Sequence, residues 1–202
     1  SMLALAAAFA FIAALRYRKL LTVMILVGIL VLFTPFGQRY VDKFVAGVRG
    51  EDVETQMRFG EYQDALTLIS RYPVVGVGFS GTPEIDLYLG VASTYLTIAS
   101  SAGIVGLAGY LLVFASAFGY SRQRYAAIRE HLDLTDVWLG LAAALVGVLV
   151  GAFFDHFYFK IDQFHATMTL EWALLGLMVA AARLAAHEDG RSPSERAARA
   201  PS

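Results

Sequence analysis

Long, nearly uninterrupted apolar runs constrain this chain more than any other feature. Met2–Leu15, Leu20–Phe36, Val91–Tyr120, Val137–Phe154 and Ala166 to about Ala186 are apolar along most of their length. A helix crosses the hydrocarbon core of a bilayer in about 20 such residues. Of the 202 residues, 57% are hydrophobic and 16% charged, against about 45–50% and about 25% in a soluble domain. Backbone groups in lipid must bond within their own segment, so the runs are expected to be helices. The expected fold class is an all-α, polytopic transmembrane helical protein. Residues 1–186 would form a membrane domain of about five spans, and residues 187–202 a disordered tail rich in Arg, Pro, Ser and Ala. The first run is short for a span, and Ser1-Met2 opens into it with neither the basic region nor the cleavage site of a signal peptide. The expectation is a chain that begins partway through a larger protein, whose missing N-terminal spans would be partners; an expression scar is the alternative.

Topology follows from the short loops, because Lys and Arg concentrate near span ends on the cytoplasmic side. The turn Arg16-Tyr17-Arg18-Lys19, the linker Ser121–Asp136 with Arg122, Arg124 and Arg129, and the tail are all basic. Alternation of five spans puts all three on one side. The long loop 37–90 and the turn Asp155–His165 then share the outer side. Net charge is −1, which gives no reason to expect nucleic acid as a partner. Absence of cysteine excludes disulfides and thiolate metal sites.

The long loop has internal order. Glu51–Arg71 has few breakers, and Phe59, Tyr62, Leu66 and Ile69 fall at helical spacing, which predicts one apolar face against the membrane or the spans. Pro73 stops the helix, and a glycine-rich turn follows through Gly81. Gly76-x-Gly78-x-x-Gly81 matches the dinucleotide fingerprint as a string, but a helix and a proline precede it and Thr82-Pro83 follow, so the βαβ context is missing. Backbone amides of such a turn could still face a phosphate. Gly103, Gly106 and Gly109 in the third span, and Gly147 with Gly151 in the fourth, have the spacing of close helix contacts.

The order of these features resembles a known family. Arg58 on a helix, Arg71-Tyr72-Pro73-Val74-Val75-Gly76-Val77-Gly78, Ser93-Thr94-Tyr95-Leu96, Gly103-Ile104-Val105-Gly106 and Trp172-Ala173-Leu174-Leu175-Gly176-Leu177 resemble the C-terminal portion of the O-antigen ligase and O-antigen polymerase superfamily. The resemblance implies glycosyl transfer outside the cytoplasm of a bacterial inner-membrane protein. The donor would be a polyprenyl diphosphate-linked glycan, the acceptor a lipid-linked glycan in the same membrane, and no cofactor or metal would be needed. Arginine suits a departing diphosphate, since it is always charged and binds phosphate oxygens in a fork.

Substrate-binding candidates are Arg58, Arg71, Gly76, Gly78, Ser93 and Tyr95. Plainer readings exist: Arg58 can pair with Glu61 one turn on, Arg71 suits a helix C-terminus, and Tyr95 can be an interfacial anchor. Where the family's ligases have a histidine, this chain has Ala92, which accepts no proton. The resemblance therefore leans to the polymerase branch. Candidate bases are Glu84, Asp86, Asp155 and His156, the last two in a polar, aromatic turn with Asp162 and His165. Glu171, inside the last run, is expected either to bond a neighbouring helix or to face substrate. The alternatives to an enzyme are a non-catalytic fragment or partner subunit, and a lipid or solute transporter. A transporter would have broken helices or chains of buried charge, which the spans lack apart from Glu171.

Overall fold

The computed structural model describes residues 2–48, 53–78, 91–130, 132–155 and 165–189. Among these residues there are helices and no strands: α1 (Met2–Arg16), α2 (Arg18–Leu32), α3 (Pro35–Val48), α4 (Val53–Arg71), α5 (Thr94–Gln123), α6 (Tyr125–Glu130), α7 (Leu132–Gly151) and α8 (His165–Asp189). Helices α5, α7 and α8 are long and apolar enough to cross a bilayer. The protein is thus a polytopic helical membrane protein. Helices α1 and α2 have 15 residues each, or about 22 Å at the α-helical rise. Three of the five expected spans reach spanning length among the described residues, and the two N-terminal ones are shorter.

The second run differs most from expectation. The apolar run Leu20–Phe36 predicts one helix continuing to Phe36. Instead α2 stops at Leu32 and Pro35 opens α3. Proline has no N–H to leave unpaired, and its fixed φ suits the first position of a helix. Thr34 caps it: the Gly37 amide donates to Thr34 Oγ1 at 3.1 Å. The polar stretch after residue 36 therefore contains helix α3 before α4. Smaller differences follow the same logic of local bonding. The linker Ser121–Asp136 holds α6, and α7 begins at Leu132, five residues before the expected Val137.

Helices α5, α7 and α8 meet around one apolar core. Tyr110 and Phe114 of α5, Trp138 and Leu145 of α7, and Met178 and Ala182 of α8 are buried there. Tyr110 and Phe114 stand one turn apart and both approach Trp172 of α8, with ring centroids 6.3 and 5.9 Å away. Helix α1 runs antiparallel along α7. Gly147 makes this possible, since a Cβ there would lie 3.0 Å from the Ala4 carbonyl oxygen and 3.4 Å from Ala8 Cβ. At the other end of this pair, Arg16 forms a salt bridge with Asp136. The stripe expected on α5 does not serve the same purpose. A Cβ on Gly109 would meet nothing within 4 Å, and one on Gly106 would press on Ala102 of its own helix.

Candidate functional site

The site is built around a break in α5. Gly103 has φ 70° and ψ −174°, outside the helical region, so the chain leaves and rejoins the helix there. A break frees carbonyls before it and amides after it, and in a membrane these must be bonded inside the protein. The glycine-rich turn after α4 supplies the partners. The amides of Val77 and Gly78 donate to the carbonyls of Ser100 and Ser101, at 2.9 and 2.8 Å. The amides of Ile104 and Val105 donate to the carbonyls of Pro73 and Val74, at 2.8 and 3.4 Å. Four backbone bonds thus splice the turn into the broken helix.

Close approach explains the glycines. A Cβ on Gly103 would fall 2.0 Å from the Val74 oxygen, and one on Gly76 2.4 Å from the Ser101 carbonyl carbon. Gly76 and Gly78 also have positive φ, 67° and 84°. Their amides are engaged, with Gly76 donating to the Tyr72 carbonyl at 3.1 Å and Gly78 to Ser101. The turn spends these donors on α5 rather than offering them to a phosphate. The expectation that the spans lack a broken helix is corrected here, and among the described residues the break is filled by the chain's own loop.

Just before the break, α5 is fastened to the end of α7. The last carbonyls of a helix have no partner within it. Here the Thr94 amide donates to the Ala152 and Asp155 carbonyls at 2.8 and 2.9 Å, and Thr94 Oγ1 to Asp155 at 2.8 Å. The Tyr95 hydroxyl donates to the Leu149 carbonyl at 2.7 Å, and its ring lies 4.5 Å from that of Phe153. Tyr95 therefore acts as an anchor between helices. Ser93 is buried, with its Oγ 3.5 Å from the Ala152 carbonyl. The Thr97 hydroxyl donates to the Ser93 carbonyl at 2.8 Å. Such saturated hydroxyls make a rigid floor.

Helix α4 covers this floor. Ala65 and Leu68 are buried, while Phe59 and Leu66 are 48% and 57% exposed. The face packed within the protein thus runs through Ala65 and Leu68, and Phe59 and Leu66, two of the four predicted residues, lie on the outer surface of α4, the side left for the membrane alternative. One turn before Ala65, Glu61 accepts the Ala92 amide at 3.2 Å. Arg58 precedes Glu61 by three residues and Ala65 by seven, so helical phase puts it on the same face. It is half-buried. Arg71 ends α4 and is exposed. It lies about 20 Å along the axis from Arg58 and about 140° around it, from the rise and twist of an α-helix. The two arginines do not converge on one anion.

Of the candidate bases, Asp155 is half-buried at the end of α7, with its carbonyl bonded to Thr94. Glu84, Asp86 and His156 lie outside the described residues. Glu171 is 1% exposed and accepts the Tyr110 hydroxyl at 2.5 Å, while its Oε2 has no hydrogen-bond partner among the described residues. Of its two expected roles, it takes that of partner to a neighbouring helix. The described residues hold no cluster of His, Cys, Asp or Glu fit for a metal. Sequence reasoning missed Thr94, Thr97 and Tyr110. Tyr110 had a signal, since an acid at Glu171 within a span demands a donor on a facing helix.

A membrane helix broken at a glycine, spliced by a Pro-Gly turn and covered by an arginine-bearing helix, defines a helical membrane protein with a polar site at one end of its bundle. The sequence model of the O-antigen ligase family matches residues 1–111, more than half of the 202 residues. The chain belongs to the O-antigen ligase family. The match takes in α4, the turn and the break at Gly103. No curated protein and no solved structure matches the chain.

Proposed function

We propose that the protein performs glycosyl transfer on the outer face of the bacterial inner membrane during surface-polysaccharide assembly. The donor is a glycan on a polyprenyl diphosphate carrier, and the acceptor is a lipid-linked glycan. The acceptor hydroxyl oxygen bonds to the anomeric carbon as the bond from that carbon to the diphosphate breaks. The diphosphate leaves with the electron pair, and the hydroxyl proton passes to a base. Arg58 carries this reading. It stands on the buried face of α4, one turn from the Glu61 carboxylate that holds the Ala92 amide. A fixed guanidinium there stabilises charge as it develops on the leaving group, which is electrostatic catalysis.

Ala92 removes the histidine of the family's ligases, which favours polymerase-like transfer to a carrier-linked acceptor. Of the proposed bases, Asp155 is the one among the described residues, its backbone tied by Thr94 to the start of α5; Glu84, Asp86 and His156 are the others. Ser93 and Tyr95 shape the floor, and Arg71, on another face of α4, has a secondary role. The loop side is taken as extracytoplasmic because the basic turn, linker and tail fall on the other side.

The test is Arg58→Ala in the full-length protein, expressed in a host lacking the native copy. Polymer on the cell surface should disappear while the level of protein in the membrane stays constant. Wild-type polymer in that strain would overturn the role of Arg58 and, with it, this reading.

A further inference from the structure

At the opposite end of the bundle, a cavity of about 1120 Å³ opens between the α1–α2 turn and the α6–α7 corner. It lies about 24 Å along α7 from the junction at Ala152, taking Asp136 as its level and the rise of an α-helix. Its lining is of two kinds. Arg18, Lys19 and Arg129 are exposed cations that make no ion pair among the described residues. Arg16 also lines it, but is neutralised by Asp136. The walls are apolar and aromatic, with Leu20, Val23, Tyr125 and Leu139 among them. The acids nearby in sequence, Glu130 and Asp133, are exposed and do not line the cavity.

A free inorganic anion would use the cations and leave the apolar walls unmatched. A neutral lipid would do the reverse. The lining fits a molecule that joins a phosphate anion to hydrocarbon, at the depth where a basic loop meets the headgroups. Basic pockets between helices on the cytoplasmic side suit such headgroups. We infer that this cavity is a binding site for an anionic phospholipid of the cytoplasmic leaflet, held through its phosphate by Arg18, Lys19 and Arg129 with its acyl chains along Leu20, Val23 and Leu139. The site is independent of the transfer reaction proposed above and rests only on the orientation given by the basic segments.

Native mass spectrometry of the full chain in detergent tests it, with phosphatidylglycerol, phosphatidylcholine or inorganic phosphate as the added probe. Phosphatidylglycerol should be retained in a saturable, one-site manner and phosphatidylcholine should not. Inorganic phosphate should fail to displace the lipid. Each neutralised cation should weaken retention by about fivefold, so Arg18→Gln/Lys19→Gln/Arg129→Gln should lose it almost entirely. Neutralising Arg122 and Arg183, exposed cations outside the cavity, should leave retention unchanged. Equal retention of phosphatidylcholine, displacement by inorganic phosphate, or equal loss in the Arg122/Arg183 control would each overturn the assignment.

Discussion

The carbonyl of Val74 occupies the place where Gly103 would carry a side chain: a Cβ on Gly103 would sit 2.0 Å from the Val74 oxygen. The turn after α4 and the break in α5 are therefore one structural unit, although 28 residues lie between Val74 and Gly103.

Three glycine substitutions should rank in a fixed order. Gly103→Ala combines a clash with backbone with a φ, ψ region that is essentially reserved for glycine, which alone costs about 1–3 kcal/mol. Gly78→Ala meets only the positive-φ strain, since nothing lies within 4 Å, a cost of about 1–2 kcal/mol. Gly109→Ala, in open space on a helix, should be neutral or slightly stabilising. Thermal unfolding of the purified protein in detergent measures the order, and a tolerated Gly103→Ala would refute the splice.

Tyr110→Phe should destabilise the protein by about 1–3 kcal/mol, because it leaves a buried carboxyl group without its donor. Replacing both partners, Tyr110→Phe with Glu171→Leu, should recover most of the loss, since two apolar groups make no unmet demand. Unfolding midpoints of the two single variants and the double variant give the coupling. Additive losses would mean that the pair seen between α5 and α8 is not the source.

Glu61 separates position from charge. Glu61→Ala frees the Ala92 amide and should cut polymer assembly about tenfold, as expected for loss of a hydrogen bond to a charged group worth about 1.5 kcal/mol or more. Glu61→Gln keeps an acceptor oxygen and should retain most activity. Surface polymer, normalised to membrane protein level, distinguishes the two.

Gly147→Leu should drive α1 away from α7. The Ala4 oxygen and Ala8 Cβ leave no room for a side chain, and overpacking of this kind costs about 1–3 kcal/mol. A cysteine pair placed across α1 and α7 should cross-link less efficiently in that variant.

What could be read in advance was set by local composition. The apolar runs announced α5, α7 and α8, and Pro73 the end of α4, because those signals act within a few residues. The end of α2 was not set by composition, because the meaning of Pro35 depends on the neighbouring cap: with Thr34 before it, it starts a helix as readily as it ends one. On α4 the residues buried within the protein are Ala65 and Leu68, and a stripe of large apolar residues does not mark a small one such as Ala65. The break at Gly103 was not legible at all. Nothing beside a glycine in a span announces that a turn 25 to 30 residues upstream will complete its hydrogen bonding, and the spacing of Gly103, Gly106 and Gly109 suggested helix contact instead. Arg58 was found through the family pattern, but the bond that ties its helix to Ala92 is made by Glu61, which appeared in the sequence only as a local ion-pair partner.

The splice at Gly103 has a consequence for biogenesis. The residues that complete the backbone bonding of α5, Pro73 to Gly78, leave the ribosome before α5 does. This span can therefore close its break as soon as it is inserted, waiting for nothing downstream. Its other fastening, from Thr94 to Ala152 and Asp155, depends on α7, which is made later. The floor of the site is thus assembled in two stages, and a chain interrupted after α5 would hold the turn in place but lack the anchor that fixes Ser93 and Tyr95.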